Sequence, residues 1–385
     1  MIHFVVPAAH DGMIREYLDF WGRDVAARFR VVHTESLPSL ERYSPGTYVL
    51  AALDQLSPGM AAFVTALHAD FASRADVRFL NHPTRTWRRP QLLDQLHRRG
   101  YNAFRAAPIS VDLESLRYPV FLRDWRSHDG ALSPLLHRPA EVDAAIGRIL
   151  LQGRSAAELL IIEFCDTADA NGYYRKYAAF VVDGRVLPRT LSYSRDWMLK
   201  FQGSEFSRAM VEEELDYVRT NPHGETLREI FALAGVDYGR IDYAMKDGRI
   251  QTWEINLNPT VGRGRRPPSG NIPPELDQMR ELVKQHFYRG FREAWESVDL
   301  EAADAATIEA QVSEPIRRAA LAEVNGDSRG SGSSGNDWLA AMRRLLRPVK
   351  PLVAPMVAPA LPYLGRVARR RTLNTQQSAS RADGE

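Results

Sequence analysis

The sequence contains a single cysteine in 385 residues, so no disulfide can form within the chain. Cys165 lies in an apolar run without a neighbouring base, and we expect a small buried hydrophobe rather than a nucleophile. Residues 1–7 lack the charged and then apolar pattern of a leader. Together with the single cysteine, this pattern predicts a cytoplasmic protein.

The chain also lacks an excess of one charge and an unbroken apolar run. Its formal net charge of +2 gives no reason to expect nucleic-acid binding. The apolar stretch near the carboxyl end is interrupted by Pro351, Pro355, Pro359 and Pro362, so it cannot span a bilayer as an ordinary helix. Residues 337–347 have a basic amphipathic pattern that could contact a membrane surface or a partner protein, but a disordered extension is the main prediction.

A chain of this length exceeds the usual size of one hydrophobic core, so at least two lobes are expected. Short apolar runs that alternate with helical patterns predict a small Rossmann-like α/β lobe at the start. These runs are 2–6, 29–33, 47–53 and 77–81. Helices are predicted at 88–99, from Pro139, from an Asn221 cap to Gly235, at 273–298 and at 300–324. The predicted divisions are a lobe at 1–108, a main domain at 109–298 with lobes 109–165 and 166–298, a helix at 299–324, and a flexible linker with a basic Pro-rich tail at 325–385.

The most informative segment spans residues 240–259 and reads RIDYAMKDGRIQTWEINLNP. Its alternation predicts two strands around a turn. The apolar face would contain Ile241, Tyr243, Met245, Trp253, Ile255 and Leu257, and the polar face Arg240, Asp242, Thr252, Glu254 and Asn256. Carboxylate and amide oxygens suit Mg²⁺. The alternative is the solvated face of an amphipathic hairpin.

The length of the turn decides whether these polar groups converge. A two-residue Asp247-Gly248 loop would pair odd with even positions and place Asp242 and Glu254 on opposite faces. A three-residue loop, with Gly248 left-handed, would pair even with even. The apolar pattern on both arms therefore predicts the three-residue loop.

The arrangement of Asp242, Glu254 and Asn256, after a short helix and before Pro259, resembles the nucleotide–metal signature of the ATP-grasp domain. It is most similar to the branch with glutathione synthetase and the ribosomal-protein S6 glutamate ligase, and the resemblance covers roughly residues 116–259. The implied fold is α/β (α+β), an ATP-grasp fold of two lobes behind the small amino-terminal lobe. The implied cofactors are ATP and Mg²⁺, with Mn²⁺ as an alternative, and these three residues would hold the metal.

The same resemblance implies an activity. A small-molecule or peptide carboxylate would attack the γ-phosphate of ATP, and an amine or similar nucleophile would take up the acyl phosphate. Residues 159–166 are similar to the family's hinge strand, which makes Glu163 and Asp166 candidates for adenine and ribose contacts. Residues 172–189 resemble its basic strand pair, turning at Asp183-Gly184, with Arg175 and Arg189 facing phosphate. The alternative for both arginines is an exposed position on the sheet surface.

The chain departs from the family in the small lobe. Arg123 stands where the family usually has a phosphate-binding lysine, and an arginine keeps the charge and can bind phosphate through two donors. The flap-like segment 124–133 has only one glycine, so His128 or Arg126 would supply side-chain donors in place of a backbone cradle. These departures leave open a nucleotide-binding protein that has lost turnover, and also an ATP-dependent kinase.

Two further arginines complete the predicted site. Arg263 lies in a basic loop at 260–268 that the family resemblance places near the transferred phosphate. Arg240 would share the face of Asp242 and Glu254, either as a structural ion pair or as a clamp on an acidic substrate. The sequence identifies neither substrate nor the oligomeric state, because specificity is determined by loop geometry.

Overall fold

The structure is a computed structural model that describes residues 1–127, 130–198, 205–262, 273–300, 307–326 and 361–382. The chain is a mixed α/β protein. Its strands are β1 (Ile2–Val6), β2 (Phe29–His33), β3 (Arg42–Tyr43), β4 (Gly46–Leu50), β5 (Val77–Leu80), β6 (Ala106–Pro108), β7 (Val120–Asp124), β8 (Leu159–Glu163), β9 (Tyr174–Val182), β10 (Arg185–Ser194), β11 (Tyr238–Lys246), β12 (Arg249–Asn256) and β13 (Ile308–Glu309). Its helices are α1 (Gly12–Phe20), α2 (Pro58–Phe71), α3 (Arg89–Arg98), α4 (Pro139–Leu151), α5 (Arg208–Thr220), α6 (Gly224–Ala234), α7 (Pro274–Val298), α8 (Glu314–Val324) and α9 (Leu361–Ala382).

The chain divides into two compact units. The first contains Met1–Arg88 and Thr167–Arg329, and the second contains Arg89–Asp166 and Gly330–Glu385. The sheet of the predicted amino-terminal lobe at 1–108 belongs to the same unit as residues 167–329. The predicted boundary at 165 lies one residue from the observed one.

A parallel sheet with the strand order β2-β1-β4-β5 forms the amino-terminal part of the first unit. The buried run IHFVV of β1 is central, as expected for a strand covered on both faces. The four predicted strands are confirmed, although the third ends at Leu50 rather than at residue 53. At the end of β5 the buried Asn81 adopts a positive φ of 67°, which asparagine tolerates better than most residues.

An antiparallel sheet with the order β10-β9-β11-β12 forms the rest of this unit. The predicted turn at Asp183-Gly184 is confirmed, with φ values of 50° and 76°, which match a type I′ turn. Helix α7 joins the two sheets, since the rings of Phe4, Tyr238 and Trp295 pack edge to face or tilted, 5.3–6.4 Å apart. This shared aromatic core explains why residues 1–88 and 167–329 fold together.

Two predictions about helix ends are corrected, and one is confirmed. Asn221, at a φ of 48°, ends α5 in the left-handed conformation instead of opening α6, which starts at Gly224. Gly235 ends α6 as predicted. The predicted helix at 300–324 is shorter: β13 pairs with β3, and α8 begins at Glu314. The Glu323 carboxylate accepts the Gly59 and Met60 N–H groups at 2.9 and 3.1 Å, at the start of α2.

The second unit contains the antiparallel sheet β6-β8-β7, covered on one face by α4. The prediction that the fold ends before residue 325 is wrong, because α9 packs along α4. A Cβ on Gly365 would lie 2.0 Å from the Asp143 carbonyl oxygen, so only glycine permits this approach. Arg369 donates to Asp143 Oδ1 at 3.0 Å and to the Val111 carbonyl at 2.7 Å. The predicted amphipathic segment 337–347 lies outside the described residues.

Of the helices that the structure describes, none has the length and apolar character required to cross a membrane.

Candidate functional site

The hairpin of β11 and β12 brings the predicted metal ligands together, but by a different route from the predicted one. The turn has two residues, since Lys246 pairs with Arg249 around Asp247-Gly248. Their φ values of 49° and 73° match a type I′ turn. The prediction of a three-residue turn is therefore wrong.

A β-bulge restores the parity that the turn alone would lose. The register shifts between Asp242 and Tyr243, so that Trp253 is an extra residue on β12. Beyond the bulge Asp242 pairs with Glu254, and Arg240 pairs with Asn256. Paired residues share a face of an antiparallel sheet, so all four lie on one face, as the polar pattern predicted. Thr252 does not join them, because it pairs with Tyr243.

Asp242 and Glu254 form a pair of buried carboxylates, exposed by only 5% and 8%. Like charges directly opposite on neighbouring strands repel each other, and burial increases the cost. Such a pair needs positive charge nearby. Among the described residues, no group of three or more His, Cys, Asp or Glu side chains could hold a metal, so the candidate site depends on these two carboxylates with the amide of Asn256.

The positive charge comes from the same sheet face. The Arg240 guanidinium donates to both oxygens of Asp242, at 2.8 and 3.2 Å, and Lys176 Nζ lies 3.5 Å from Asp242 Oδ2. Burial alone would lower the pKa of Arg240, but the charge of Asp242, its hydrogen bonds and Glu254 outweigh it, so the pKa is raised. This geometry favours the structural ion pair over the substrate clamp for Arg240.

Replacing Arg240 tests that assignment. We expect Arg240→Ala to reduce the free energy of unfolding in EDTA by roughly 3 kcal/mol, because it leaves buried carboxylates uncompensated. Added Mg²⁺ should recover part of the lost stability, because the ion can take the position of the missing positive charge. Urea titrations with and without the metal measure this recovery. Arg185→Ala is the matched control, since its pair with Glu293 is exposed and should contribute at most about 1 kcal/mol. Equal losses in both variants would contradict the assignment.

The loop after Asn256 is tied to the amino-terminal sheet. Asn256 Oδ1 accepts the Asn258 N–H at 2.8 Å, which orients the amide and leaves a second lone pair for a ligand. Asn258 Nδ2 donates to the His10 carbonyl at 2.9 Å. The predicted metal strand and the edge of the parallel sheet are thus connected by one residue.

Arg189 lies at a bulge of β10, where the register shifts between Pro188 and Thr190. Its guanidinium packs over the rings of Phe287 and Tyr288, at 4.7 and 5.1 Å. It donates to the Tyr288 hydroxyl at 3.1 Å and to the Val261 carbonyl at 3.3 Å. No carboxylate among the described residues forms an ion pair with it, so an anionic substrate group remains a suitable partner.

Arg175 does not join the cluster. Alternation along β9 places it on the face of Tyr177, opposite Asp242. There it pairs with Asp169 and with Glu213 Oε1, the latter at 3.0 Å, and stacks over Tyr193. Two carboxylates already neutralise Arg175, so we assign it to these ion pairs rather than to the predicted contact with phosphate.

The face opposite Asp242 is a hydrogen-bonded aromatic layer. The Tyr243 ring stacks on Tyr177 at 5.2 Å, and its hydroxyl contacts His223 Nδ1 at 2.8 Å. Tyr243 also donates to Tyr217, whose hydroxyl donates to the Ala178 carbonyl at 3.0 Å. Since Ala178 is the β9 partner of Asp242, this layer supports the backbone that carries the carboxylate.

Three of the predicted nucleotide contacts are described residues of the second unit. Arg123 is a partly exposed residue of β7, paired with Leu160 on the face opposite Val120 and Leu122, which pack against α4. Glu163 is committed to structure: it accepts the Arg105 and Arg117 N–H groups at 3.1 and 2.9 Å.

Asp166 is an exposed residue at the end of the segment Arg89–Asp166 of this unit. We do not assign Glu163 to the nucleotide, because the N–H groups of Arg105 and Arg117 donate to its two carboxylate oxygens. The candidates His128 and Arg263 lie outside the described residues.

Two functional candidates were not predicted from sequence. Lys176 precedes the apolar part of β9, and its alternation with Ala178 placed it on the face of Asp242, but only the β9–β11 register could show this. Asn258 is the last polar residue of EINLNP, two residues after the predicted ligand Asn256. Its spacing of two from Asn256 was the available signal.

No protein-family model matches the chain, and no curated protein matches its sequence. Solved structures of similar shape include D-alanine–D-alanine ligase from Bacillus anthracis complexed with ATP, with 11% identity, a TM-score of 0.41, and coverage of 77% of this chain and 99% of that one. Another is the ATP-grasp ligase PsnB complexed with a minimal precursor, with 16% identity, a TM-score of 0.44, and coverage of 73% and 99%. A third is L-amino acid ligase from Bacillus licheniformis, with 12% identity, a TM-score of 0.41, and coverage of 81% and 77%. The likeness is distant, so the site residues themselves must support a functional conclusion.

Proposed function

We propose that the protein is an ATP- and Mg²⁺-dependent ligase of the ATP-grasp type. It activates a carboxylate of a small molecule or peptide as an acyl phosphate, which an amine then attacks to form an amide. The observation that supports this most strongly is the pairing of Asp242 with Glu254 across β11 and β12, next to Asn256 and two cations. A solvated hairpin face has no need to bury two opposed carboxylates.

The donor set fits Mg²⁺. Asp242, Glu254 and Asn256 present hard oxygen atoms on one face, and Mg²⁺ accepts a small number of protein ligands together with substrate phosphates. When bound, the ion would neutralise phosphate charge as it develops. Arg240 and Lys176 would remain beside it and hold Asp242 in place, while Arg189 offers its charge to an anionic group of the substrate.

Arg123 and Asp166 are assigned to ATP in this proposal. Arg123 would bind phosphate with a forked donor set in place of the lysine common in the family, and Asp166 would accept from ribose hydroxyls. The partial exposure of Arg123 supports the first assignment, and the exposure of Asp166 supports the second.

The test is a turnover screen with the full chain, ATP and MgCl₂. Single amino acids, dicarboxylic acids and short peptides serve as carboxylates, each with an amino acid amide as the amine or with hydroxylamine as a trap for acyl phosphate. We expect ADP and amide in equimolar amounts for at least one pair, by chromatography and mass spectrometry. ATP binding without ADP release would indicate a protein that has lost turnover. ADP with a stable phosphorylated product would indicate a kinase, and either result would overturn the ligase proposal.

A further inference from the structure

The carboxyl ends of the parallel strands form an edge that the ATP and metal assignments leave unused. Strands β1, β2 and β4 end there at Val6, His33 and Leu50. In open parallel sheets, ligands bind at the edge formed by the carboxyl ends of the strands. This edge therefore has the geometry of a binding site.

The loop that follows the proposed metal strand lies along this edge. The Leu257 carbonyl accepts the Ala52 N–H at 3.4 Å, just beyond the end of β4. Asn258 contacts the His10 carbonyl, and Thr260 Oγ1 lies 3.0 Å from Met13 Sδ. A group bound at this edge would thus lie beside the residues that continue from Asn256.

A histidine and an aspartate at the edge form an oriented pair. His33 Nε2 lies 2.9 Å from Asp11 Oδ2, and the same carboxylate oxygen is bound by Arg15. The His33 side chain is 40% exposed and that of Asp11 20%, so the ring is held on one side and reachable on the other. Because the carboxylate engages Nε2, Nδ1 is left to exchange a proton. An imidazole oriented by a carboxylate is the usual arrangement of a general base.

A second observation at the same edge indicates a ligand with an N–H group. Asn258 Oδ1 is buried and has no hydrogen-bond partner among the described residues. Its amide nitrogen is already fixed by the His10 carbonyl, one residue from Asp11. A buried acceptor without a donor is costly, and a bound amine would supply the donor.

We propose that this edge binds the amine substrate, with His33 as its general base, Asp11 as a positioning residue that orients the imidazole, and Asn258 Oδ1 as the acceptor of an amine N–H. This inference rests on the proposed ligase function. The amine nitrogen attacks the carbonyl carbon of the acyl phosphate, and a C–N bond forms. The C–O bond to phosphate breaks, and inorganic phosphate leaves with that electron pair. The proton lost by nitrogen moves to His33 Nδ1 and then to solvent.

The experiment compares two nucleophiles on the same acyl phosphate. Hydroxylamine is uncharged at neutral pH and needs little help from a base, whereas an ordinary primary amine is protonated and does. With the carboxylate identified in the turnover screen, His33→Asn should lower the rate of amide formation by about 100-fold or more, while hydroxamate formation stays within about twofold of the parent. Asp11→Asn should show the same selective loss. His286→Asn, at an exposed position on α7, is the matched control and should change neither rate.

The outcomes separate the inference from the function on which it rests. If His33→Asn slows amide and hydroxamate formation equally, His33 acts on the fold or on ATP and the inference fails. If amide formation is unchanged, His33 is not the base and the inference fails, but the ligase proposal stands. If the parent protein releases no ADP with any carboxylate, the proposed function itself fails and the inference fails with it.

Discussion

Glu254→Gln is expected to slow ligase turnover roughly 100-fold while leaving the protein folded. The substitution keeps the shape of a side chain that is only 8% exposed but removes one of the two carboxylates facing the proposed metal. A bound metal contributes several kcal/mol of charge stabilisation, so losing about 3 kcal/mol would slow ADP release roughly 100-fold. The assay is ADP release at saturating MgCl₂ with the substrates found in the screen.

The stability of Glu254→Gln should not fall together with its activity. In the absence of metal, the variant relieves the repulsion between Glu254 and Asp242, so the urea midpoint in EDTA should equal or exceed that of the parent. Glu293→Gln is the control, because Glu293 is exposed on α7 and belongs to no proposed site. Unchanged ADP release in Glu254→Gln would exclude Glu254 as a metal ligand, and lost activity with a lowered urea midpoint would indicate a structural role instead.

The largest loss of stability is expected at Asn81, where one buried amide connects the two sheets of the first unit. Its nitrogen donates to the Leu50 and Tyr238 carbonyls at 3.1 and 2.8 Å. Its oxygen accepts the N–H groups of Asp237 and Tyr238 at 2.9 and 3.0 Å. Asn81→Ala would remove the Asn81 partner of four backbone groups whose hydrogen bonds are buried or partly buried. We expect a loss on the order of 4 kcal/mol in the free energy of unfolding, measured by urea titration.

Asn81→Gly separates the two physical contributions at this position. Glycine adopts the positive φ of 67° without strain, whereas alanine does not, so Asn81→Ala should be less stable than Asn81→Gly by about 1 kcal/mol. Both variants should fall well below the parent, since both lack the amide. A Gly variant as stable as the parent would mean that backbone conformation, rather than the four hydrogen bonds, makes Asn81 important.

Local sequence patterns were sufficient for most of the secondary structure. The apolar runs of β1 and β2, the Asp183-Gly184 turn and the glycine that ends α6 were predicted because each depends on neighbours within a few residues. Local patterns gave a wrong prediction where one residue suits two different positions in a helix. Asn221 is equally suited to open a helix or to end one at positive φ, and the contacts of α5 selected the second.

The predicted ligand trio was correctly placed on one face for an incorrect reason. Alternation requires one extra residue on β12 between the turn and Glu254, but it does not say where that residue lies. The prediction placed it in the turn, and the structure places it at Trp253. A bulge depends on how β12 packs and twists, which no short segment encodes.

By itself, the sequence determined which residues alternate, where turns can form, and that Asp242, Glu254 and Asn256 share a polar face. Only the tertiary structure decided which distant groups meet them. It brought Lys176 to Asp242 across the β9–β11 register and committed Arg175 and Glu163 to structural contacts. It also joined residues 1–88 to 167–329 through Asn81 and α7 and packed α9 onto α4. The physical reason is that alternation and turn chemistry act over a few residues, whereas charge pairing and core packing depend on which segments the completed fold brings into contact.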